Sequence, residues 1–253
     1  MGHVASSSWP NSGEAGAPAG LFPLIARRYD LLNRIISFGQ DLHWRRLAAA
    51  RCMPLTQGRV LDVATGTGDQ LLALARVLDP GCQLVGLDSC STMLGRAQEK
   101  ISRQYGRASI YLCRAEALNL PFRDGSFAAV TMSFAIRNFP QRLRALSEAR
   151  RVLIHGGRLV ILEASVPDNG FVRLLFRAYC RFILPLCAGM LSGHFAAYRY
   201  LCDSIFHFPP PDEFRALLSK AGFTPLQEES FSLGAARLYL ALTAPDQPKG
   251  FSP

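Results

Sequence analysis

Two glycines and an aspartate close the first predicted strand in a way that suits a nucleoside ligand. The run VLDVATGTGD (60–69) is an apolar strand followed by a turn with Gly66 and Gly68, and a helix is predicted to begin at Asp69. Glycines here let the backbone turn sharply and let a ligand approach the carboxyl end of the strand. Asp88 ends the next predicted strand, twenty residues after Gly68. A carboxylate there accepts hydrogen bonds from both ribose hydroxyls, although a strand-end or helix-capping aspartate needs no ligand.

The charge at the start of the helix distinguishes two classes of nucleoside cofactor. The pyrophosphate of a dinucleotide needs a positive helix N-terminus, but the first residue of this helix is the acidic Asp69. The loop also lacks the third glycine of the dinucleotide pattern, because Leu71 stands there. S-adenosylmethionine carries an ammonium and a sulfonium, for which Asp69 and Asp62 supply a negative environment. We therefore predict S-adenosylmethionine as the cofactor, and no metal, because the cysteines and histidines lack the spacing of metal ligands.

An alternation of apolar runs and amphipathic stretches positions these residues. The apolar runs stand at 59–64, 83–88, 109–113, 127–133 and 158–163, and the amphipathic segments between them at 69–79, 91–104 and 140–153. Gly81 and the pair Gly156–Gly157 follow two of the segments and predict where those helices end. Strands and helices that alternate at this spacing form right-handed βαβ units, so the predicted fold class is α/β with a parallel sheet.

The alternation stops after the fifth strand. Residues 168–203 are predicted to form a helical insertion, and a last helix is predicted from Pro211 to Ala221. Two strand-like runs follow, at about 224–231 and 236–243, which brings the predicted strands to seven.

The two ends of the chain have different compositions. Residues 1–20 are glycine, alanine, serine and proline with few core-forming side chains, and we predict a disordered tail. Helical periodicity begins at Leu21 and continues to about Met53. We expect residues 245–253 to fray, so that 21–244 form a single domain.

Composition excludes several classes of protein. Of 253 residues, 49% are hydrophobic and 19% are charged, which is too apolar for a disordered chain. No uncharged apolar run reaches the roughly 18 residues of a spanning helix. Seven scattered cysteines disfavour a disulfide framework and fit a reducing compartment. Because no secretory signal pattern is found either, we expect a cytoplasmic protein associated peripherally with the inner face of the membrane.

Basic residues are concentrated in the insertion. The chain has 28 basic and 19 acidic residues, and its net charge of +9 indicates either an anionic partner or an arginine-rich composition without one. Arg173, Arg177 and Arg181 recur at helical spacing among large apolar side chains, with no acidic residue between the ends of the insertion. Such a helix lies on an anionic bilayer with its arginines at the headgroups. We predict that 171–193 is a membrane-contacting segment; the alternative is a lid helix packed on the domain.

Six motifs resemble those of a known family and occur in the family's order. They are YDLLNRIISFG (29–39), LDVATGTGD (61–69), AEALNLPF (115–122), SFAIRN (133–138), RVLIHGGRLVILEAS (151–165) and YRYLCDSI (198–205). Over about residues 22–232 the sequence resembles the C-methyltransferases of menaquinone and ubiquinone biosynthesis. The resemblance implies a Rossmann-like class I methyltransferase with seven mostly parallel strands, helices on both faces, N-terminal helices and an insertion after strand five.

The resemblance also implies which residues hold the cofactor. The family's cofactor positions match Thr67 in the loop, Asp88 at the ribose, Arg114 and Ala115 beside the adenine, and Ser133 at the end of strand four. The carboxyl ends of neighbouring parallel strands border one crevice, so the expected fold independently brings these positions together.

The implied reaction is methylation of a ring carbon of a reduced, prenylated quinol. The ring must lose or share a hydroxyl proton, so that charge develops on the neighbouring carbon. Arg137 and Asn138 are the expected catalytic residues, which hold the developing phenolate or orient a water, and Tyr29 matches a family position near the ring. Without the resemblance, Arg137 reads as a surface residue and Tyr29 as a core aromatic. Dimers are common among such enzymes, and a homodimer is possible here.

The sequence departs from the family pattern in four places. Asp41 stands where histidine is common, Ile154–His155 replace a Lys-Pro pair, Ala164 replaces phenylalanine, and 233–242 lack a histidine. The last two positions bear on the shape of the substrate side. The glycine loop and SFAIRN are intact.

Three other functions stay open at this point. A nucleic-acid methyltransferase suits the positive charge, but strand four ends in SFAIRN rather than in the Asn/Asp-Pro-Pro-aromatic run of exocyclic-amine methylases, so we expect no nucleic-acid partner. A methyltransferase for an amine, a sterol or another lipid or small molecule shares every cofactor residue. A non-catalytic binding protein on the same scaffold is disfavoured by the intact loop and Asp88.

Overall fold

The computed structural model describes residues 20–55, 57–105, 109–184 and 195–243. The predicted tails, apart from Gly20, and the second part of the predicted membrane segment lie outside these residues.

Helices and strands alternate through the middle of the chain. The helices are α1 (Leu21–Ile25), α2 (Tyr29–Ile36), α3 (Gln40–Ala50), α4 (Asp69–Val77), α5 (Ser91–Gln104), α6 (Arg142–Val152), α7 (Gly170–Ala178), α8 (Phe195–Phe206) and α9 (Pro211–Lys220). The strands are β1 (Gly58–Val63), β2 (Cys82–Asp88), β3 (Ile110–Arg114), β4 (Phe127–Ser133), β5 (Leu153–Ala164), β6 (Phe223–Phe231) and β7 (Ala236–Thr243). A 3₁₀ turn at Ile136–Asn138 follows β4, and a π-helical turn at Tyr179–Ile183 extends α7.

The seven strands form one sheet in the order β3-β2-β1-β4-β5-β7-β6. The first five are parallel, and β7 runs antiparallel to both of its neighbours. The strand order reverses between β1 and β4, and a ligand crevice opens at the carboxyl ends of the strands on such a reversal. The prediction of a seven-stranded, mostly parallel α/β sheet is therefore confirmed.

Both faces of the sheet are buried because residues of each strand alternate between two hydrophobic clusters. Along β1, Leu61 and Val63 pack into one cluster with residues of α6 and α9, while Val60 packs into the other with residues of α3, α4 and α5. Side chains alternate with period two along a strand, so a run of apolar residues buries both faces at once. The two helical layers hold the strand ends in place.

A third, smaller cluster joins the N-terminal helices to the insertion. Leu21 of α1 and Leu32 of α2 pack with Cys180 and Leu184, which follow α7, and with Cys202 of α8. The N-terminal helices and the insertion therefore pack on each other, and this packing holds α1 and α2 in place.

The predicted helical region is confirmed and resolved into separate helices, whereas two predictions around β5 were wrong in detail. The helical region from Leu21 to Met53 is three helices, separated at 26–28 and 37–39. Gly156–Gly157 do not end α6, which stops at Val152; they lie inside β5, where Gly156 adopts φ 69°. The added N-terminal part of β5 begins opposite Phe127, so pairing with β4 extends the strand beyond its apolar run.

Candidate active site

A cavity of about 510 Å³ opens at the carboxyl ends of β1, β2 and β4. Seven of the eight predicted cofactor residues line it: Gly66, Thr67, Asp69, Asp88, Arg114, Ala115 and Ser133. Gly68 is buried and does not line the cavity. The N-terminal helices contribute Phe22, Pro23 and Tyr29 to the opposite wall. The sequence-predicted positions are thus neighbours in space.

The glycine loop needs both of its glycines, for different reasons. Gly66 has φ 57° and Gly68 has φ 85°, in the left-handed region that glycine adopts without strain. A Cβ at Gly68 would lie 3.1 Å from the Cβ of Ala97 on α5, so this glycine allows close packing of the loop on α5. A Cβ at Gly66 would meet no atom within 4 Å, and this part of the loop borders open space in the cavity.

Asp88 ties the glycine loop to the start of α5. Its Oδ2 accepts a hydrogen bond from the Gly66 backbone N–H and its Oδ1 one from the Cys90 N–H, both at 2.8 Å. Burial raises the pKa of Asp88 above its ordinary value, although these backbone hydrogen bonds oppose the shift. Asp88 also lines the cavity, and because each carboxylate oxygen can accept two hydrogen bonds, the side chain keeps acceptor capacity for a ligand there.

Ser133 and the end of β3 hold the remaining wall in place. The Ser133 hydroxyl donates to Gln70 Oε1 at 3.0 Å, which joins the end of β4 to the first turn of α4. The Arg114 Nε donates to the Ser89 carbonyl at 3.2 Å, and the Ala115 N–H donates to the Asp88 carbonyl at the same distance. Arg114 is the last residue of β3 rather than the first beyond it.

Asp69 begins α4 as predicted, but two cations neutralise it. Lys100 Nζ donates to Asp69 Oδ1 at 2.5 Å, and an Arg34 nitrogen donates to Oδ2 at 2.6 Å. Burial works to raise the pKa of Asp69, but the surrounding cations outweigh it and lower the pKa to about 2. The carboxylate is therefore ionised and paired, and these cationic partners reduce the negative environment that the sequence predicted at Asp69.

The same lysine joins the loop to the N-terminal helices. Lys100 Nζ also donates to Asp30 Oδ2 of α2 at 2.7 Å and to the Thr67 hydroxyl at 3.2 Å, and that hydroxyl donates to Asp30 Oδ1 at 2.5 Å. Thr67 is thus held by contacts with α2 and α5, which the family position alone does not indicate.

Asp62 is a buried acidic group of the cavity with one oxygen that has no hydrogen-bond partner among the described residues. It is 1% exposed, and its Oδ1 accepts from the Thr131 hydroxyl at 2.6 Å. Its Oδ2 has no hydrogen-bond partner among the described residues. Burial raises the pKa of Asp62 to about 6, against the lowering effects of the Thr131 hydroxyl, the nearby Thr65 hydroxyl and Arg45; the Thr65 hydroxyl does not meet hydrogen-bond geometry with Oδ2. A cationic N–H donor in the cavity would supply the hydrogen bond that Asp62 Oδ2 lacks.

A second, smaller cavity of about 50 Å³ adjoins the first. Its walls come from α1, α2 and α8, and they are mainly apolar: Leu21, Phe22, Ile25, Leu32, Ile36 and Leu201. Its polar residues are Tyr29, Asn33, Arg137, Asn138 and Tyr200. Tyr29, Phe22 and Asn138 line both cavities. Two of the three predicted catalytic residues therefore stand between the cavities, and Arg137 borders only the second.

Glu163 is a charged residue of this region that the sequence reading missed. It is 0% exposed at the end of β5 and forms an ion pair with Arg137, which is 8% exposed. Its oxygens also accept from the backbone N–H groups of Arg137 at 3.1 Å and Ala164 at 2.9 Å. Arg137 is thus not a surface residue. The signal in the sequence was a glutamate that ends the apolar run RLVILE.

Tyr200 completes the polar end of the second cavity. Its hydroxyl donates to Asn138 Oδ1 at 3.1 Å, and burial raises its pKa above the ordinary value. The hydrogen bond joins α8 to the 3₁₀ turn after β4. The motif YRYLCDSI contains this tyrosine, so the family resemblance pointed to the segment without giving the residue a role.

Helix α7 exposes its apolar side chains. Phe171, Leu174 and Leu175 are 70%, 64% and 54% exposed. The guanidinium of Arg173 instead donates to the carbonyls of Pro167 and Asp168, at 2.9 and 2.7 Å. None of the helices in the described part of the chain is both long and apolar enough to cross a membrane. Within that same part, no three His, Cys, Asp or Glu side chains are grouped so as to bind a metal ion.

Comparison with known proteins gives one consistent family. A profile of the ubiE/COQ5 methyltransferase family matches residues 14–243. The demethylmenaquinone methyltransferase of Thermus thermophilus is 43% identical over 220 residues, which cover 87% of this chain and 98% of that protein. The ubiquinone/menaquinone biosynthesis C-methyltransferase UbiE of Geobacter sulfurreducens is 42% identical over 222 residues, covering 87% and 85%.

A solved structure supports the fold at lower identity. Phosphoethanolamine N-methyltransferase 2 of Haemonchus contortus, in complex with S-adenosyl-L-methionine, matches with a TM-score of 0.64 and 16% identity, covering 90% of this chain and 61% of that one. The family resemblance, the enzyme class and the class I methyltransferase fold predicted from the sequence are confirmed. The chain belongs to the ubiE/COQ5 methyltransferase family and is an S-adenosylmethionine-dependent methyltransferase.

Proposed function

We propose that this enzyme methylates a ring carbon of a reduced, prenylated quinol. The observation that carries the proposal is the junction of two cavities of different character, which Tyr29 and Asn138 both line. One has the acidic groups that suit a cationic nucleoside, and the other is apolar with a buried arginine at one end. The names of the relatives, which include demethylmenaquinone methyltransferases, support a quinol as the acceptor.

S-adenosylmethionine fits the larger cavity by the chemistry of its donors and acceptors. When bound, it supplies an electrophilic methyl group. Asp88 has one free acceptor direction on each oxygen for the ribose hydroxyls. The open space beside Gly66 lets the ligand approach the backbone closely, and Asp62 Oδ2 is a buried acceptor without a partner in the described structure.

On the acceptor side, Arg137 stabilises negative charge on the quinol oxygen. A guanidinium stays protonated in a protein, so Arg137 acts as an electrostatic donor rather than as a base. Glu163 accepts from one of its terminal nitrogens, while its Nε is buried without a hydrogen-bond partner in the described part of the chain. A developing phenolate is a suitable acceptor for the remaining donors. Removing one preorganised donor of this kind typically lowers turnover about 10²- to 10³-fold.

Asn138 and Tyr200 position the ring and its proton. Because Tyr200 donates to Asn138 Oδ1, the amide nitrogen of Asn138 stays available as a donor toward the junction. Tyr29 contributes an aromatic wall on which a quinol ring can pack. Methylation of a ring carbon releases one proton overall, and this proton passes along these polar groups to solvent water.

The prenyl chain and the membrane belong to the same proposal. The apolar walls from α1 and α2 suit an isoprenoid chain, and Phe171, Leu174 and Leu175 expose apolar surface on the neighbouring helix α7. Exposed apolar side chains on a helix that carries arginines are typical of segments that lie in a membrane interface. We propose peripheral association through α7 and the residues that follow it.

A transfer assay tests the acceptor. The enzyme is incubated with S-adenosylmethionine labelled in the methyl group and with a panel of acceptors: reduced demethylmenaquinol, a reduced prenylated benzoquinol, the oxidised form of each, phosphoethanolamine and a sterol. We expect label only in a reduced quinone. Label in the amine or the sterol, or equal labelling of oxidised and reduced quinones, would contradict the proposal.

A further inference from the structure

A buried arginine of α3 borders the cofactor cavity and, among the described residues, forms one long ion pair with Asp41 but donates no side-chain hydrogen bond. Arg45 is 5% exposed and lines the cavity of about 510 Å³. Its Nε has no hydrogen-bond partner, and no other nitrogen of its guanidinium donates a hydrogen bond within the described part of the chain. The nearby Asp41 carboxylate lies 3.8 Å from Nε, beyond hydrogen-bond distance.

Other cations at this end of the cavity already have close partners. Lys100 donates to Asp30 and Asp69, and Arg34 pairs with Asp69 and Asp41. Arg114, which also lines the cavity, donates to a carbonyl beyond Asp88, at the ribose end. Arg45 lies 3.8 Å from Asp41 and its charge acts on Asp69, but among the described cations near the start of α4 it lines the cavity with its hydrogen-bond donors unused.

Packing holds this arginine in position. The guanidinium carbon of Arg45 lies 5.0 Å from the centre of the Phe134 ring, over its face. Trp44 packs on the same ring at 6.3 Å and on Phe231 at 6.4 Å, which fixes α3 against the ends of β4 and β6. A buried cation without hydrogen bonds is costly, so an arginine retained in this place suits a recurrent anionic ligand.

The cavity thus carries two incomplete groups of opposite charge. Arg45 offers N–H donors, and Asp62 Oδ2 offers an acceptor, both buried and both lining the same cavity. The charge of Arg45 also acts on Asp62, where it lowers the pKa against the effect of burial. A donor and an acceptor in this arrangement match the carboxylate and the ammonium of an α-amino acid.

We infer that Arg45 binds the α-carboxylate of S-adenosylmethionine, with Asp62 as the acceptor for the ammonium. The inference rests on the proposed function, since it concerns the methionine end of the same cofactor. It makes Arg45 a binding residue that selects the complete cofactor over analogues without a carboxylate. The sequence did not single out Arg45, because one arginine in an arginine-rich chain gives no distinct signal.

The test compares three ligands by calorimetry: S-adenosylmethionine, its decarboxylated form and 5′-methylthioadenosine, which lacks the whole amino-acid group. We expect the wild-type enzyme to bind S-adenosylmethionine about 10- to 100-fold more tightly than the decarboxylated form, since a hydrogen-bonded charge contributes on that scale. Arg45→Gln should lose this preference and bind 5′-methylthioadenosine as the wild type does. Arg45→Lys should retain part of the preference.

Arg46→Gln is the matched control, because Arg46 is exposed on the same helix and does not line the cavity. It should bind all three ligands as the wild type does. The proposed function fails if the wild type binds none of the ligands. The inference alone fails if the wild type binds S-adenosylmethionine but does not distinguish it from the decarboxylated form, or if Arg45→Gln keeps the full preference. A missing preference in the wild type overturns the inference even if Arg45→Gln does not fold, and Arg45→Lys then tests the residue itself.

Discussion

Replacing Asp88 with alanine should separate cofactor binding from folding. The carboxylate accepts two backbone N–H groups at 2.8 Å and faces the cavity with its remaining acceptor directions. Hydrogen bonds to a charged group contribute about 1.5–3 kcal/mol, so losing the ribose contact should weaken S-adenosylmethionine binding by roughly 10- to 150-fold. Because the carboxylate is ionised when it accepts these bonds and its pKa is raised, binding should also weaken on acidification sooner than for an ordinary aspartate.

The control is an aspartate with the same local contact and no ligand. Asp79 accepts the Gly81 backbone N–H at 2.8 Å and does not line the cavity. Asp79→Ala should therefore lose a comparable turn contact and keep the wild-type Kd. Titration calorimetry gives the Kd, and thermal unfolding shows whether each variant is folded. A folded Asp88→Ala protein with unchanged affinity would refute the ribose assignment.

Three further outcomes follow from the buried charges and the exposed helix. The affinity for S-adenosylmethionine should fall by at most about tenfold per pH unit as the pH drops through about 6, because Asp62 then takes up a proton and no longer attracts the ammonium. Calorimetry of Asp62→Asn should show no such pH dependence. Glu163→Gln should lower the free energy of unfolding by roughly 3–5 kcal/mol, because the Arg137 charge stays buried without its partner. In urea unfolding, the double variant Glu163→Gln/Arg137→Met should lose less stability than the two single variants added together, and additive losses would contradict the ion pair. Phe171→Ser should reduce co-sedimentation with anionic vesicles by about tenfold, whereas Leu226→Ser, an exposed leucine on β6, should not; equal binding of both would exclude α7 as the contact.

The fold was predictable because its signals are local. The strands of a parallel sheet buried on both faces are short apolar runs, and β1, β2 and β4 were found within one residue of their observed ends. The first part of β5 was missed because Gly156 and Gly157 read as a helix stop, while pairing opposite Phe127 draws that segment into the sheet. Long-range pairing of this kind leaves no trace in the local sequence.

The part of the site that could be predicted is the part formed by the carboxyl ends of the parallel strands. Positions at the carboxyl ends of parallel strands converge, so Asp88 and Ser133 could be placed together without a structure. The partners of these groups come from distant segments: Lys100 reaches Asp69 from α5, and Glu163 reaches Arg137 from β5. Those contacts depend on tertiary packing, and the partner of a single charged residue cannot be inferred from composition or spacing.

The position of the transferred methyl group tests the central claim most directly. The enzyme is supplied with S-adenosylmethionine carrying a carbon-13 methyl and with reduced demethylmenaquinol, and the purified product is examined by NMR and mass spectrometry. The account predicts a labelled methyl bonded to a ring carbon, with both oxygens of the ring unmethylated. A labelled methyl on a quinol oxygen would contradict it, because Arg137 would then not be stabilising a phenolate whose charge reaches the ring carbon.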